Sequence, residues 1–289
     1  PIPQLYGHVS TRVGSGNAPA PCATMVGMAE LLVADSFRVR EHPVTGVAEV
    51  RRFGWHLERF RASASEALTA LSSNTAGSGA DALAEFMREF PGRIAGGGAG
   101  FPRIELVHEP TTNGGPGTVS FNVQLRPLPR LADTIELRRA PVPALQRPRV
   151  KGPGLARLGQ LNQELGAEGL LIDTAGFAIE GATTSLAWWE GDVLSASAAT
   201  DRSGSVTERF LLETAHRTEI PTSRRAITAD DLARREVWAL NALHGIRLVA
   251  SIDGVRAPEP DLRRLAAFRE ALERTWMPVL ADTAPLPDP

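Results

Sequence analysis

Residues 170–181 read Leu-Leu-Ile-Asp-Thr-Ala-Gly-Phe-Ala-Ile-Glu-Gly. Two apolar runs flank a polar, glycine-containing centre, a composition that predicts strands at 169–173 and 177–180 joined by a turn at 174–176. Glu180 closes the second run. Beside a glycine it could be a solvated hairpin charge, but an unpaired carboxylate directly after Phe177, Ala178 and Ile179 is costly. That ranks it as a site residue.

Outward from this hairpin, strands and helices follow one another. Upstream the pattern predicts a strand at 134–140 and a short helix at 155–165. Downstream it predicts a hairpin of 186–189 and 193–196 around a turn at 190–192, helices at 206–215 and 229–235, a strand at 236–240 and a closing helix at 260–280. Residues 126–133, Arg-Pro-Leu-Pro-Arg-Leu-Ala-Asp, set two prolines between periodic segments and read as an interdomain linker. Before it come strands at 30–40 and 46–53 around a turn at 42–46. A helix at 56–71 carries Leu57, Phe60, Ala64, Leu68 and Leu71 at spacings of three and four. A second helix at 80–90 is expected to end at Pro91-Gly92, and paired strands follow at 104–108 and 118–125. The expectation is an α/β (α+β) protein with a small α+β domain over 1–125, a linker over 126–133 and a larger domain over 134–289. Residues 1–26 read as loop and early strand, and the acidic, proline-rich tail from 281 as frayed.

Composition narrows the function classes. A chain of 289 residues, 43% hydrophobic and 22% charged, can bury a core in each of two domains. Its 31 basic and 33 acidic residues give a net charge of −2, with no basic tail to mark nucleic acid or an anionic membrane as a partner. Small molecules are the expected partners. A lone cysteine, Cys22, allows neither an intramolecular disulfide nor a cysteine metal cluster, and the six histidines show no ligand spacing, so no metal is expected. No segment approaches the ~20 apolar residues of a membrane span, and residues 1–15 lack a charged segment followed by an apolar run. The chain reads as soluble and cytoplasmic.

Lys151 is the single lysine among the 31 Lys and Arg residues. An arginine-rich coding bias explains much of that imbalance, because arginine replaces lysine wherever any solvated cation suffices. Arginine cannot replace an amine that must lose its proton near neutral pH or bond to a carbonyl carbon. A sole surviving lysine is therefore a candidate for chemistry.

Taken in order, Trp55-His56-Leu57-Glu58-Arg59-Phe60, Val150-Lys151, the 170–181 block, Ser205-Val206-Thr207 and Asn241-Ala242-Leu243 resemble the blocks of the class IV aminotransferases. These are fold-type IV pyridoxal phosphate enzymes, and they include branched-chain and D-amino-acid aminotransferases and 4-amino-4-deoxychorismate lyase. Each block alone is weak. Five in order, between about residues 34 and 254, are specific.

The resemblance implies a two-domain fold-type IV architecture, pyridoxal 5'-phosphate in the interdomain cleft, and a homodimer. Lys151 takes the place of the Schiff-base lysine, which also moves the substrate α-proton. Glu180 takes that of the residue paired with the pyridine nitrogen. Ser205, Val206 and Thr207, at the start of a helix, would offer backbone N–H groups and a hydroxyl to the phosphate, although Ser-x-x-Glu at 205–208 is also an ordinary capping box. Asn241 and Ala242 would add a second phosphate turn, and Arg59 a cation; on its own, Arg59 could equally be a solvated helix residue.

Some positions depart from the family. No tyrosine follows Lys151, since the only one is Tyr6, and Ser185, Ser205 and Glu208 stand where asparagine, glycine and arginine are usual. On the strand at 34–40, alternation sets Ala34, Ser36 and Arg38 on one face. Ala34 implies a roomier pocket, and Arg38 could bind a substrate carboxylate. The implied activity is amino-group transfer between an amino acid or amine and a 2-oxo acid. Its rivals are aminodeoxychorismate lyase activity with pyruvate release, and a cofactor-binding protein without turnover.

Overall fold

The apolar spacing of the first half builds one small unit. In a computed structural model that describes residues 29–71, 79–111, 117–143 and 147–280, the chain begins with β1 (Glu30–Ser36), β2 (Val39–Glu41), β3 (Ala48–Arg51), α1 (Phe53–Leu71), α2 (Gly79–Gly96), β4 (Arg103–Glu109) and β5 (Thr118–Gln124). Tyr6, Cys22, most of the expected early strand and the tail from 281 lie outside the described residues. β1, β4 and β5 form an antiparallel sheet. Phe86 of α2 stacks on Phe90 at 5.1 Å and on Phe121 of β5 at 5.0 Å, which fastens the helix to that sheet.

Three expectations for this half are corrected. The strand expected over 30–40 breaks at Phe37-Arg38, because Phe37 is fully buried against Phe53 and the chain then leaves β4 to pair with β3. The next strand stops at Arg51. Arg52 adopts a left-handed φ of 49°, and α1 starts at Phe53, three residues before the expected position. Finally, α2 does not end at Pro91 but runs through it to Gly96. A proline inside a helix costs about 3 kcal/mol. The buried stripe Leu83, Phe86, Phe90 and Ile94 continues across it, and each such side chain contributes about 1.5–3 kcal/mol, so burial outweighs the break.

Residues 126–133 carry no regular structure apart from a bend. Beyond them lie β6 (Thr134–Pro141), α3 (Leu155–Leu165), β7 (Glu168–Ile172), β8 (Ala178–Gly181), β9 (Ser185–Glu190), β10 (Val193–Ser197), α4 (Val206–Arg217), β11 (Thr222–Arg225), α5 (Ala229–Leu232), β12 (Val237–Asn241), β13 (Gly245–Ile252), β14 (Val255–Arg256), α6 (Leu262–Glu273) and β15 (Trp276–Pro278). The expected hairpins at 169–180 and 186–196 and the helix at 155–165 are present. α5 is shorter than expected, and β11, β13 and β14 have no counterpart among the expected elements.

A mixed nine-stranded sheet orders these strands β11-β10-β9-β12-β13-β6-β7-β8, with β14 on β13. Trp188 and Trp189 show its period of two. Trp188 joins the core with Leu170, Ala239 and Ile227, while Trp189 joins the core of α4 and α6, edge-on to Trp238 at 5.4 Å and Phe268 at 6.0 Å. The helix expected over 260–280 stops at Glu273. Residues 276–278 instead pair with β3 of the first unit, where Trp276 lies under Arg40 and Arg51 and Val279 is buried. Among the described residues, no helix is long and apolar enough to cross a membrane.

Candidate active site

Lys151 is set by the backbone of β1. The Lys151 carbonyl accepts a 2.7 Å hydrogen bond from the Ala34 N–H. Gly152, at φ +152°, lies so close that a Cβ there would sit 2.9 Å from Val33 Cα, so only glycine fits. Ala34 is buried behind this contact.

The strand carries one charge into the same place. Asp35 is fully buried; its carboxylate accepts hydrogen bonds from Arg59 Nε at 2.9 Å and Nη2 at 2.6 Å, and its Oδ1 lies 3.2 Å from His56 Nδ1 and 3.6 Å from Lys151 Nζ. His56 and Arg59, one helical turn apart on α1, face it together. Burial works against an ionised Asp35, but Arg59, His56 and Lys151 together hold its carboxyl well below the usual range. Burial also lowers His56, against the pull of Asp35, which favours a neutral ring with its Nδ1 proton toward the carboxylate. Lys151 is lowered to about 8 by burial, opposed by Asp35 and reinforced by Arg59 and Arg126. A quarter of its side chain remains exposed.

That exposure opens into a cavity of about 510 Å³ lined from both halves of the chain. Glu180 on β8 lines it without a hydrogen-bond partner among the described residues, and burial raises its carboxyl to about 8, with Arg202 opposing and Glu208 and Glu168 assisting. At the N-terminus of α4, the Ser205 side chain accepts from the Glu208 N–H at 3.2 Å. Val206 and Thr207, whose N–H groups have no partner within the helix, line the same cavity. Asn241 ends β12 and Ala242 opens the turn after it, where Asn241 Oδ1 accepts from the His244 N–H at 2.8 Å. Arg59 Nη1 donates to the Gly204 carbonyl, which joins α1 to the loop before α4.

Eight of the nine expected site residues, Arg59, Lys151, Glu180, Ser205, Val206, Thr207, Asn241 and Ala242, therefore line one cavity. Arg38 does not. It sits in the break between β1 and β2, where strand alternation lapses, and it faces a small adjoining pocket with its guanidinium 5.5 Å from the Trp276 ring. Arg126, from the segment between β5 and β6, does reach the cavity, donating from Nε to the Phe101 carbonyl and from Nη2 to Ser36 Oγ, both at 3.0 Å. Glu208, in the position where the family has an arginine, is paired with Arg202 at 2.5 and 2.6 Å, and its charge is neutralised there.

Sequence reasoning missed Asp35 and Arg126. The burial argument that selected Glu180 applies equally to Asp35, a carboxylate inside Leu-Leu-Val-Ala-Asp-Ser-Phe. Arg126 carried no comparable signal.

A family model described as amino-transferase class IV matches residues 33–252. Comparison with curated proteins gives no match. Among solved structures, the chain is similar to the branched-chain aminotransferase of the thermophilic archaeon Thermoproteus uzoniensis with norvaline, at 16% identity over 86% of this chain and 89% of that one, with a TM-score of 0.64. It is similar to a fold IV-transaminase from Curtobacterium pusillum, at 17% identity over 85% of each chain and a TM-score of 0.61. A third similar structure is a hypothetical aminotransferase from Mycobacterium tuberculosis in its alpha-ketoglutarate and PMP bound form, at 15% identity over 85% and 88%, TM-score 0.61. At these identities the likeness establishes the fold, which is the fold class expected from the sequence.

Proposed function

This chain belongs to the class IV aminotransferase family, and from that premise we propose that it transfers an amino group between an amino acid or amine and a 2-oxo acid, using pyridoxal 5'-phosphate bound in the cavity that holds Lys151. When bound, that cofactor supplies an electron sink for negative charge at the substrate α-carbon. The observation that carries the reading is one cavity that holds both Lys151 and a half-buried glutamate, Glu180, without a hydrogen-bond partner among the described residues.

The donor set suits the group. Glu180 would meet the ring nitrogen, whose N–H supplies the missing partner. The free N–H groups of Val206 and Thr207 and the turn at Asn241 and Ala242 would hold the phosphate, with the α4 dipole behind them and Arg59 as the nearby cation. Lys151 Nζ, a free amine in a large fraction of molecules near pH 8, takes the proton from the substrate α-carbon and returns it on the product side. Asp35 holds Arg59 and His56 in place and keeps the lysine from dropping further. Arg126, whose charge acts on Lys151, is the group best placed for the carboxylate attached to that carbon.

We extend the proposal to a cytoplasmic homodimer of two-domain chains divided at 126–133, in keeping with the exposed Leu125, Leu128 and Leu131 along the connecting segment. The test is to add pyridoxal phosphate to purified protein and follow its absorption as amino donors and then 2-oxo acids are supplied. Conversion to the aminated cofactor, reversed only by the 2-oxo acid, is expected, in a particle of twice the chain mass by sedimentation. Pyruvate release with no 2-oxo acid present would mark elimination and overturn amino transfer.

Glu180→Gln is expected to lower turnover by about 10²-fold or more, since it removes a preorganised charge. It also has a signature without cofactor. Because the folded-state pKa of Glu180 is raised, from 4.5 to about 8, the folded protein holds an extra proton between those values and loses stability as pH rises through them. Denaturant titrations of cofactor-free protein at pH 5 and 8 should show wild type losing more stability than Glu180→Gln. Equal losses would mean that the carboxyl is ionised throughout.

A further inference from the structure

Among the described residues, the buried carboxylates differ in how their charge is met. Asp35, Glu49, Glu105, Glu208 and Glu236 each sit in an ion pair with an arginine. Glu168 is the exception. It opens β7, is 7% exposed and lines the cavity, yet its bonding partners are all neutral. Its Oε2 accepts from Asn162 Nδ2 on α3 at 2.8 Å and from the Thr183 hydroxyl at 2.9 Å, and its Oε1 accepts from the Thr183 N–H at 2.6 Å and the Thr184 hydroxyl at 3.1 Å. The turn closes on it tightly. A Cβ on Gly181, the residue after Glu180, would lie 2.9 Å from Glu168 Oε1 and 2.1 Å from Thr184 Oγ1.

Neutral donors stabilise a carboxylate without cancelling its charge, whereas a bonded cation does both. The charges that act on Glu180 are those of Arg202 before α4, Glu208 on α4 and Glu168. Arg202 and Glu208 oppose each other and are bonded together, so the charge left over is that of Glu168. Its field also reaches Arg247, to which it is not bonded. Two neighbouring carboxyls do not both ionise readily; the one surrounded by donors takes the charge and the other takes the proton. Glu180, raised to about 8 chiefly by burial, agrees with that division.

We infer that Glu168 is a positioning residue for Glu180: it pins the 181–184 turn to α3, and its uncancelled charge makes Glu180 hold a proton in the cofactor-free protein and favour a cationic ring nitrogen in the loaded one. The second part rests on the reading in which Glu180 meets the ring nitrogen. Glu168 is a cavity residue for which that reading has no other use.

The test follows the Glu180 carboxyl itself, by carbon-13 NMR of cofactor-free protein labelled at the glutamate carboxyls, with its signal assigned by loss in Glu180→Gln. Wild type should titrate near pH 8. Glu168→Gln, which removes the charge, is expected to lower that midpoint by about one pH unit and to weaken pyridoxal phosphate about 10-fold in calorimetric titration. Thr183→Val removes a hydroxyl donor and leaves the charge, so its midpoint should not fall. An unchanged midpoint in Glu168→Gln overturns the inference, and so does an equal fall in Thr183→Val, which would reduce Glu168 to a clamp. Unchanged cofactor affinity in Glu168→Gln overturns the second part. Should Glu168→Gln, whose amide meets the Asn162 donor, fail to fold by melting temperature, Thr183→Val decides alone: a midpoint at or above wild type supports the charge and a lower one overturns it. Failure of wild type to take up cofactor would instead sink the amino-transfer reading, while the cofactor-free titrations still judge Glu168.

Discussion

Lys151→Arg is expected to abolish covalent attachment of pyridoxal phosphate and to lower turnover by about 10⁴-fold or more, the combined scale of a lost nucleophile and a lost general acid–base group. Arginine is the informative replacement because it leaves a cation facing Asp35, 3.6 Å from the present amine, so the buried carboxylate keeps a counter-charge. What disappears is the free amine. A guanidinium stays protonated up to about pH 12, whereas Lys151 is lowered to about 8. Borohydride reduction followed by peptide mass mapping reads attachment directly, because this is the only lysine in the sequence. A cofactor still fixed to the variant, or activity within tenfold of wild type, would remove Lys151 from the chemistry. In cofactor-free wild type, modification of Lys151 by trinitrobenzenesulfonate should speed up as pH passes through about 8 and the amine is freed.

Asp35→Asn is expected to have the largest effect on stability. The carboxylate is fully buried and faces Arg59, His56 and Lys151 at once. Removing the anion while leaving the cations costs about 3–5 kcal/mol, a fall in melting temperature on the order of 10 °C for a chain of this size. The sign with pH follows from the lowered pKa of Asp35. Its contribution is present above the unfolded carboxyl value of about 3.9 and is lost as pH falls below it, so the stability gap between wild type and variant should narrow under acid. A second readout separates electrostatics from mere structural damage. Asp35 holds the Lys151 value up, so Asp35→Asn should lower it further, and trinitrobenzenesulfonate should modify Lys151 faster in the variant at pH 7. Slower modification in a folded variant, or a stability gap that does not change with pH, would contradict an ionised Asp35.

Where structure could be read along the chain, local chemistry was enough. The hairpin around Asp173 to Gly176 is closed by Asp173 itself, whose carboxylate accepts from the Ala175 N–H at 2.9 Å and the Phe177 N–H at 2.8 Å. The Ser205 cap of α4 and the helix after Lys151 likewise depend on neighbours within a few residues. Two of the errors of helix length had the same origin. Pro91 looked like a stop and 274–280 like a continuing helix, because propensity is local, and in each case a buried surface contributed by distant chain decided otherwise.

By itself, then, the sequence determined that this protein keeps one lysine, places it ahead of a helix, and follows it with a strand that carries a glutamate out of an apolar run. Those are properties of composition and of spacings short enough for period and turn chemistry to register. Only the tertiary structure decided what surrounds that lysine. Asp35, His56, Arg59 and Lys151 span more than a hundred residues and meet because β1, α1 and the segment before α3 pack together. The same packing turned Arg38 away from the cavity, brought Arg126 to it, and enclosed Glu168 among neutral donors. A charge becomes a binding group when water is withdrawn from it and its counter-ion is fixed or missing, and burial of that kind is a property of the packed chain.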